Sequence, residues 1–197
     1  MLYLLFDFFA NLSLLYVIPL SFHNYIYPIF TFAESLFFAG FFYAIIKKQT
    51  LKKQVVAITA VFSVLLIVYY YYTYFFLQSR PVLDSIPIGI ETILIFVFAF
   101  LYFFEQMNDT TDLFIYSKPS FWAVLGILLY LSGSFFIYIF ANQIDFKELG
   151  KYWIITNIAS ILKNIFFAIA VYIQANQSLK KSSKKNYNPY PPNFIDS

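Results

Sequence analysis

The chain has no cysteine among its 197 residues. Disulfides, thiolate metal sites and cysteine nucleophiles are therefore excluded, and the redox state of the compartment leaves no mark on the sequence. There is one histidine, His23, so a zinc centre built from several imidazoles is excluded as well. Charge is scarce: 12% of residues are Asp, Glu, Lys or Arg, against roughly 25% in an ordinary soluble domain. The ~10-residue alternation of polar and apolar positions that marks membrane barrel strands is missing. Pro28, Pro87 and Pro119 all fall where long apolar stretches begin.

What is there instead is apolar: 61% hydrophobic residues, with 24% aromatic. A chain of this size cannot bury so much apolar surface in its own core. A bilayer can take it, provided that every backbone N–H and C=O pairs internally, which a helix achieves. The apolar runs are about 20 residues long, the length that a helix needs to cross a core of about 30 Å. The expectation is an all-α polytopic transmembrane bundle with six spans at about 2–21, 25–46, 55–77, 86–104, 119–141 and 152–173. Residues 1–176 then form the membrane domain. Residues 177–197, rich in Lys, Ser, Asn and Pro, read as a disordered basic tail. The first span does not read as a signal peptide, because it carries Asp7, lacks a basic leader and is followed by no small-residue cleavage site.

The 27 Phe and 18 Tyr could suggest an aromatic ligand cage. Codon bias is the simpler account: Phe, Tyr, Ile, Asn and Lys share AT-rich codons, and Arg80 is the one arginine among 13 basic residues. Most aromatics are therefore read as lipid-facing or packing residues.

Basic residues orient the chain. With six alternating spans, Lys47, Lys48, Lys52, Lys53, Lys118, Lys180, Lys181, Lys184 and Lys185 fall on one side, and Arg80, Lys147 and Lys151 on the other. The expected location is a bacterial inner membrane with both termini cytoplasmic. The lysines of the tail serve either as topology determinants or as contacts to anionic lipid.

Charges inside spans are costly, at least ~2.5–3.5 kcal/mol each at the bilayer centre. Three stand out: Glu34, Glu91 and Lys163. Their spans run in the same direction, and counting from the span starts puts Glu34 and Lys163 within ~3 Å of the same depth, with Glu91 somewhat shallower. An ion pair or triad is expected. Neighbouring polar residues are expected to line the same interior: Thr31 and Ser35 beside Glu34, Thr92 beside Glu91, and Thr156, Asn157, Ser160 and Asn164 around Lys163. Gly126, Tyr130 and Gly133 recur at i, i+4, i+7 and read as a packing seam, with Trp122 as an interface anchor. Asp7 and His23 are weaker candidates near span ends. No metal site and no cofactor are expected.

The stretch from Glu34 to Ala44 aligns with that from Lys163 to Ile173 at four of eleven positions, which would make Glu34 and Lys163 symmetry mates. Beyond this, the segments Tyr27-Pro-Ile-Phe-Thr-Phe-Ala-Glu34-Ser-Leu36, Ile90-Glu91-Thr-Ile-Leu94, Pro119-Ser-Phe-Trp122-Ala-Val-Leu-Gly126-Ile-Leu-Leu-Tyr130-Leu-Ser-Gly133 and Ile161-Leu-Lys163-Asn164-Ile-Phe-Phe-Ala168 resemble a family of small multi-spanning inner-membrane proteins of Bacteroidota. The resemblance implies that Glu34, Glu91, Trp122, Gly126, Gly133, Lys163 and Asn164 belong to a family pattern. It also implies a seven-helix, three-plus-one-plus-three plan whose first helix this chain lacks. It implies no activity.

Three functions are weighed. The first is a non-enzymatic sensor or scaffold subunit acting with a membrane-protein partner or as a homo-oligomer; it fits short loops and the lack of a catalytic set. The alternative is a small-solute or proton-coupled transporter using Glu34, Glu91 and Lys163. The third, an intramembrane lipid enzyme, has two carboxylates but no nucleophile–base pair. Besides the lipid bilayer, the partners expected are proteins; nucleic acid is not among them.

Overall fold

The computed structural model of the protein describes residues 23–76, 85–109, 114–140 and 146–186. Every extended element in them is helical: α1 His23–Ile45, α2 Gln49–Phe75, α3 Ser85–Met107, α4 Pro119–Phe140 and α5 Phe146–Asn186, with a 3-10 turn at Ile115–Ser117 before α4. Each of the five helices contains a stretch long and apolar enough to cross a membrane. The chain is thus an all-α protein of multi-pass membrane type. The expected first span, 2–21, lies outside the described residues.

Several boundaries differ from the expected ones, for local reasons. α1 opens at His23, so Pro28 falls inside the helix, where its missing N–H leaves one backbone carbonyl without its usual bond. α2 begins at Gln49 and takes in Lys52 and Lys53, which were expected in a loop; only Ile46–Lys48 separate it from α1. α3 continues to Met107, so Glu105 and Gln106 are helical. α5 starts before the sixth expected span and runs on to Asn186, into the segment expected to be a disordered tail. Between Gln174 and Asn186 there is neither Gly nor Pro, and the Gln, Ala, Leu and Lys of that stretch are good helix formers. Pro189 is the first residue able to stop the helix.

α1, α3 and α5 run one way, and α2 and α4 run the other. α3 is the central helix, packing against α1, α2 and α4. Its buried residues form one broad face: Ile95, Phe98, Ala99 and Tyr102 meet Phe38 and Phe42 of α1 and Val124, Ile127 and Leu131 of α4 in one cluster, while Ile86, Ile90, Ile93, Val97 and Phe100 on the other side are exposed. α2 is peripheral. It buries a narrow stripe, Val55, Thr59, Phe62, Leu66 and Thr73, and leaves Val64, Ile67, Tyr71 and Phe75 exposed. Its tyrosine run forms no cage. Tyr70 stacks on Tyr74 and Tyr72 on Phe76, each one turn along the same helix.

α4 and α5 form the closest pair. In lipid this closeness has to come from shape, because acyl chains solvate apolar side chains as well as a neighbouring helix does. Two glycines provide it. A Cβ on Gly126 would stand 2.8 Å from Phe166 Cβ and 3.2 Å from the Lys163 carbonyl oxygen, and one on Gly133 would stand 2.8 Å from Ala159 Cβ. Trp122 stacks on Phe166 beside the first contact. Gly40 of α1, by contrast, has nothing within 4 Å of its Cβ position. Replacing Gly126 or Gly133 by Ala is therefore expected to destabilise the purified protein by about 1–3 kcal/mol, seen as a lower midpoint of thermal aggregation in detergent, while Gly40→Ala leaves the midpoint unchanged or raises it slightly.

Candidate functional site

Two polar centres are built into this bundle, one inside the span region and one at the end where α1, α3 and α5 finish.

The inner centre lies between α1 and α3. Glu91 is on the buried face of α3, 4% exposed, and Glu34 of α1 is its charged neighbour. Of the three expected charges, Glu34 and Glu91 thus lie within electrostatic reach of each other, and Glu34 and Lys163 each make further interactions. Oε1 of Glu91 is buried and has no hydrogen-bond partner. The hydroxyls nearby in sequence are directed elsewhere: Ser35 donates to the Phe32 carbonyl and Thr92 to the Ile88 carbonyl, both 2.8 Å away on their own helices. Thr31 is buried on α1, one turn from Glu34.

Lys163 is 1% exposed, on the face of α5 that meets α4. Its ammonium lies over the Tyr130 ring, 4.2 Å from the centroid, where the negative face of the ring replaces part of its lost hydration. Gly126 and Gly133 flank Tyr130 by one turn on either side and bring the helices close enough for this contact. The Lys47–Asp109 and Lys118–Asp109 ion pairs lie at the end of the bundle.

The polar stripe expected around Lys163 divides. Thr156 is buried like Lys163, Ser160 is half-buried, and Asn157 and Asn164 are exposed. Adjacent helical residues are 100° apart, so Thr156 and Asn157, or Lys163 and Asn164, cannot face the same neighbour. Asp7 lies outside the described residues. Among the described residues, no group of three His, Asp or Glu side chains is placed to hold a metal ion. A lipid-facing groove of about 390 Å³ between α1 and α2, lined by Gly40, Tyr43, Thr59 and Ser63 among others, contains none of these charges.

The second centre did not emerge from the sequence. Glu105, 3% exposed in the last turn of α3, accepts hydrogen bonds from the backbone N–H groups of Lys47 and Lys48 at 2.8 and 2.5 Å. Lys48 is the N-cap of α2 and makes no side-chain cap of its own. A carboxylate from another helix therefore holds the turn that starts α2, with its charge at the positive end of that helix. Around it, Lys118 Nζ donates to Gln106 Oε1 at 2.6 Å, and Asp109 pairs with Lys47 at 3.0 Å and with Lys118 at 3.7 Å. Tyr102 and Ser120 share a 2.8 Å hydrogen bond, Trp122 Nε1 donates to the Tyr116 carbonyl, and Gln177 of α5 donates to the Ser117 carbonyl. The available signal was the i, i+1, i+4 spacing of Glu105, Gln106 and Asp109, which continues the buried face of α3 past its apolar run.

The chain matches no protein-family model, no curated protein and no solved structure.

Removal of the Glu105 carboxylate leaves two part-buried backbone N–H groups without their acceptor. Glu105→Ala is expected to cost about 1–3 kcal/mol, and Glu105→Gln, which keeps one acceptor oxygen, noticeably less. Thermal midpoints of the two variants in detergent check the order. Equal midpoints for Ala, Gln and the unaltered chain would show that the contact holds nothing.

Proposed function

We propose that the protein is a proton-coupled inner-membrane carrier for a small solute, with both termini cytoplasmic, and that Glu34 and Glu91 are its proton-binding pair. The observation that carries this reading is the placement of Glu91: buried in the span region, one oxygen unbonded, and its charged neighbour another carboxylate.

A like-charged pair does not hold helices together. Two carboxylates in an apolar interior repel each other when both are ionised, so such a pair gains from taking up a proton or a cation. That property suits a coupling site and serves no purpose in a purely structural contact. The pair also joins two different helices, so any shift of α1 against α3 changes how strongly the carboxylates repel and hence how tightly they hold a proton. Lys163 lies over Tyr130 in the neighbouring α4–α5 pair. The sensor or scaffold reading remains the competitor, but it gives the acid pair nothing to do. The orientation is supported by the Lys-rich end of the bundle, where Lys47, Lys48, Lys118 and Lys180 gather.

The test uses protons alone as the probe. Purified protein in liposomes containing a pH-sensitive dye is subjected to a potassium–valinomycin potential. Glu34→Gln and Glu91→Gln are expected to lower proton uptake to that of protein-free vesicles while eluting from gel filtration like the unaltered protein. Undiminished uptake in both folded variants would remove the acid pair from any such role.

A further inference from the structure

The outward face of α5 carries amides that neither the chain nor lipid satisfies. Asn157 and Asn164 lie within the Ile154–Lys180 span and are exposed. Neither side chain has a hydrogen-bond partner among the described residues. Asn164 is ten residues past Ile154, so it sits ~15 Å into the span, near the middle of a core of about 30 Å. Its side chain is too short to reach the headgroups, and acyl chains offer no donor or acceptor.

The two asparagines are one heptad apart, and the heptad continues. Asn157, Ile161, Asn164, Ala168, Val171 and Ala175 follow one another at alternating steps of four and three residues, and all six are exposed. The face used against α4 is a different stripe, carrying Thr156, Ala159, Lys163 and Ala170. The two stripes are about a third of a turn apart at 100° per residue.

We propose that α5 pairs with α5 of a second copy of this chain, side by side in the membrane, along the Asn157–Ala175 seam. Symmetry selects this occupant. Two copies inserted with the same orientation are related by a two-fold axis along the bilayer normal, so each seam residue meets its own counterpart at equal depth. A primary amide is both donor and acceptor, so each asparagine bonds its counterpart with no other chemistry required. Asparagine at one core position of a heptad seam favours a parallel, in-register pair. Ala168 and Ala175 let the helix backbones approach. Lys180 does not oppose the pairing: sixteen residues beyond Asn164, it lies about 160° round the helix.

The chain's lack of cysteine makes the test direct. Single cysteines are placed on the seam (Ile161→Cys, Ala168→Cys, Ala175→Cys) and on the far side of α5 (Ile155→Cys, Leu162→Cys), and native membranes are oxidised. The seam variants are expected to form dimer disulfides about tenfold more readily than the far-side ones. In the Ala168→Cys background, Asn157→Leu with Asn164→Leu is expected to lower cross-linking about tenfold. Equal cross-linking on both faces, cross-linking unchanged by the Leu substitutions, or a product containing a different protein would each overturn the proposal. The far-side comparison involves no change to the asparagines, so it decides the matter even if the Leu variants fold poorly.

Discussion

Lipid solvates apolar side chains as well as a protein interior does, and the architecture of this chain follows from that. Helices that gain little by hiding hydrophobic surface from one another must be joined by close fit and by bonds between polar groups. The α4–α5 pair uses fit: Gly126 and Gly133 remove the side chains that would keep the backbones apart. The α1–α2 turn uses a bond: Glu105 reaches from α3 to the N–H groups of Lys47 and Lys48. Between these two devices stands α3, whose one broad buried face connects α1 and α2 to α4 and α5.

Glu105 and Glu91 belong to the same helix, four turns apart, and have opposite circumstances. Glu105 faces backbone donors and a neighbouring set of lysines, so its negative charge is matched where it lies. Glu91 faces another acid and has an oxygen with no donor at all. The first arrangement fixes a loop. The second leaves a buried polar oxygen without a bond. Both are glutamates on a hydrophobic helix, and only their surroundings distinguish them.

The helical class and the positions of five of the six expected spans were legible because hydrophobic length is a strong signal and lipid permits few structures. Boundaries failed where residues at the ends of helices are polar. Lys52, Lys53, Glu105 and the stretch after Gln174 look like loop by composition, yet all are good helix formers and the helices continue through them. Glu34, Glu91 and Lys163 could be selected as unusual from sequence alone, because their cost depends only on depth. Depth alone leaves rotation about each helix axis undetermined, so the partners of each charge are not legible in the sequence. The stripe around Lys163 divided for the same reason: the polar residues cluster in sequence but spread over more than one face. The Glu105 contact was hidden because its partners are backbone N–H groups, which no residue type announces.

α5 is 41 residues long without interruption. At 1.5 Å per residue it measures ~60 Å, about twice the thickness of a bilayer core. The part beyond the span is continuous with the part that packs against Gly126 and Gly133, and no hinge intervenes. α5 is therefore a lever with its fulcrum in the membrane. A tilt of ~10° at the glycine contacts would carry the far end through several ångströms, turning a small rearrangement among buried helices into a displacement that a molecule on the aqueous side could detect.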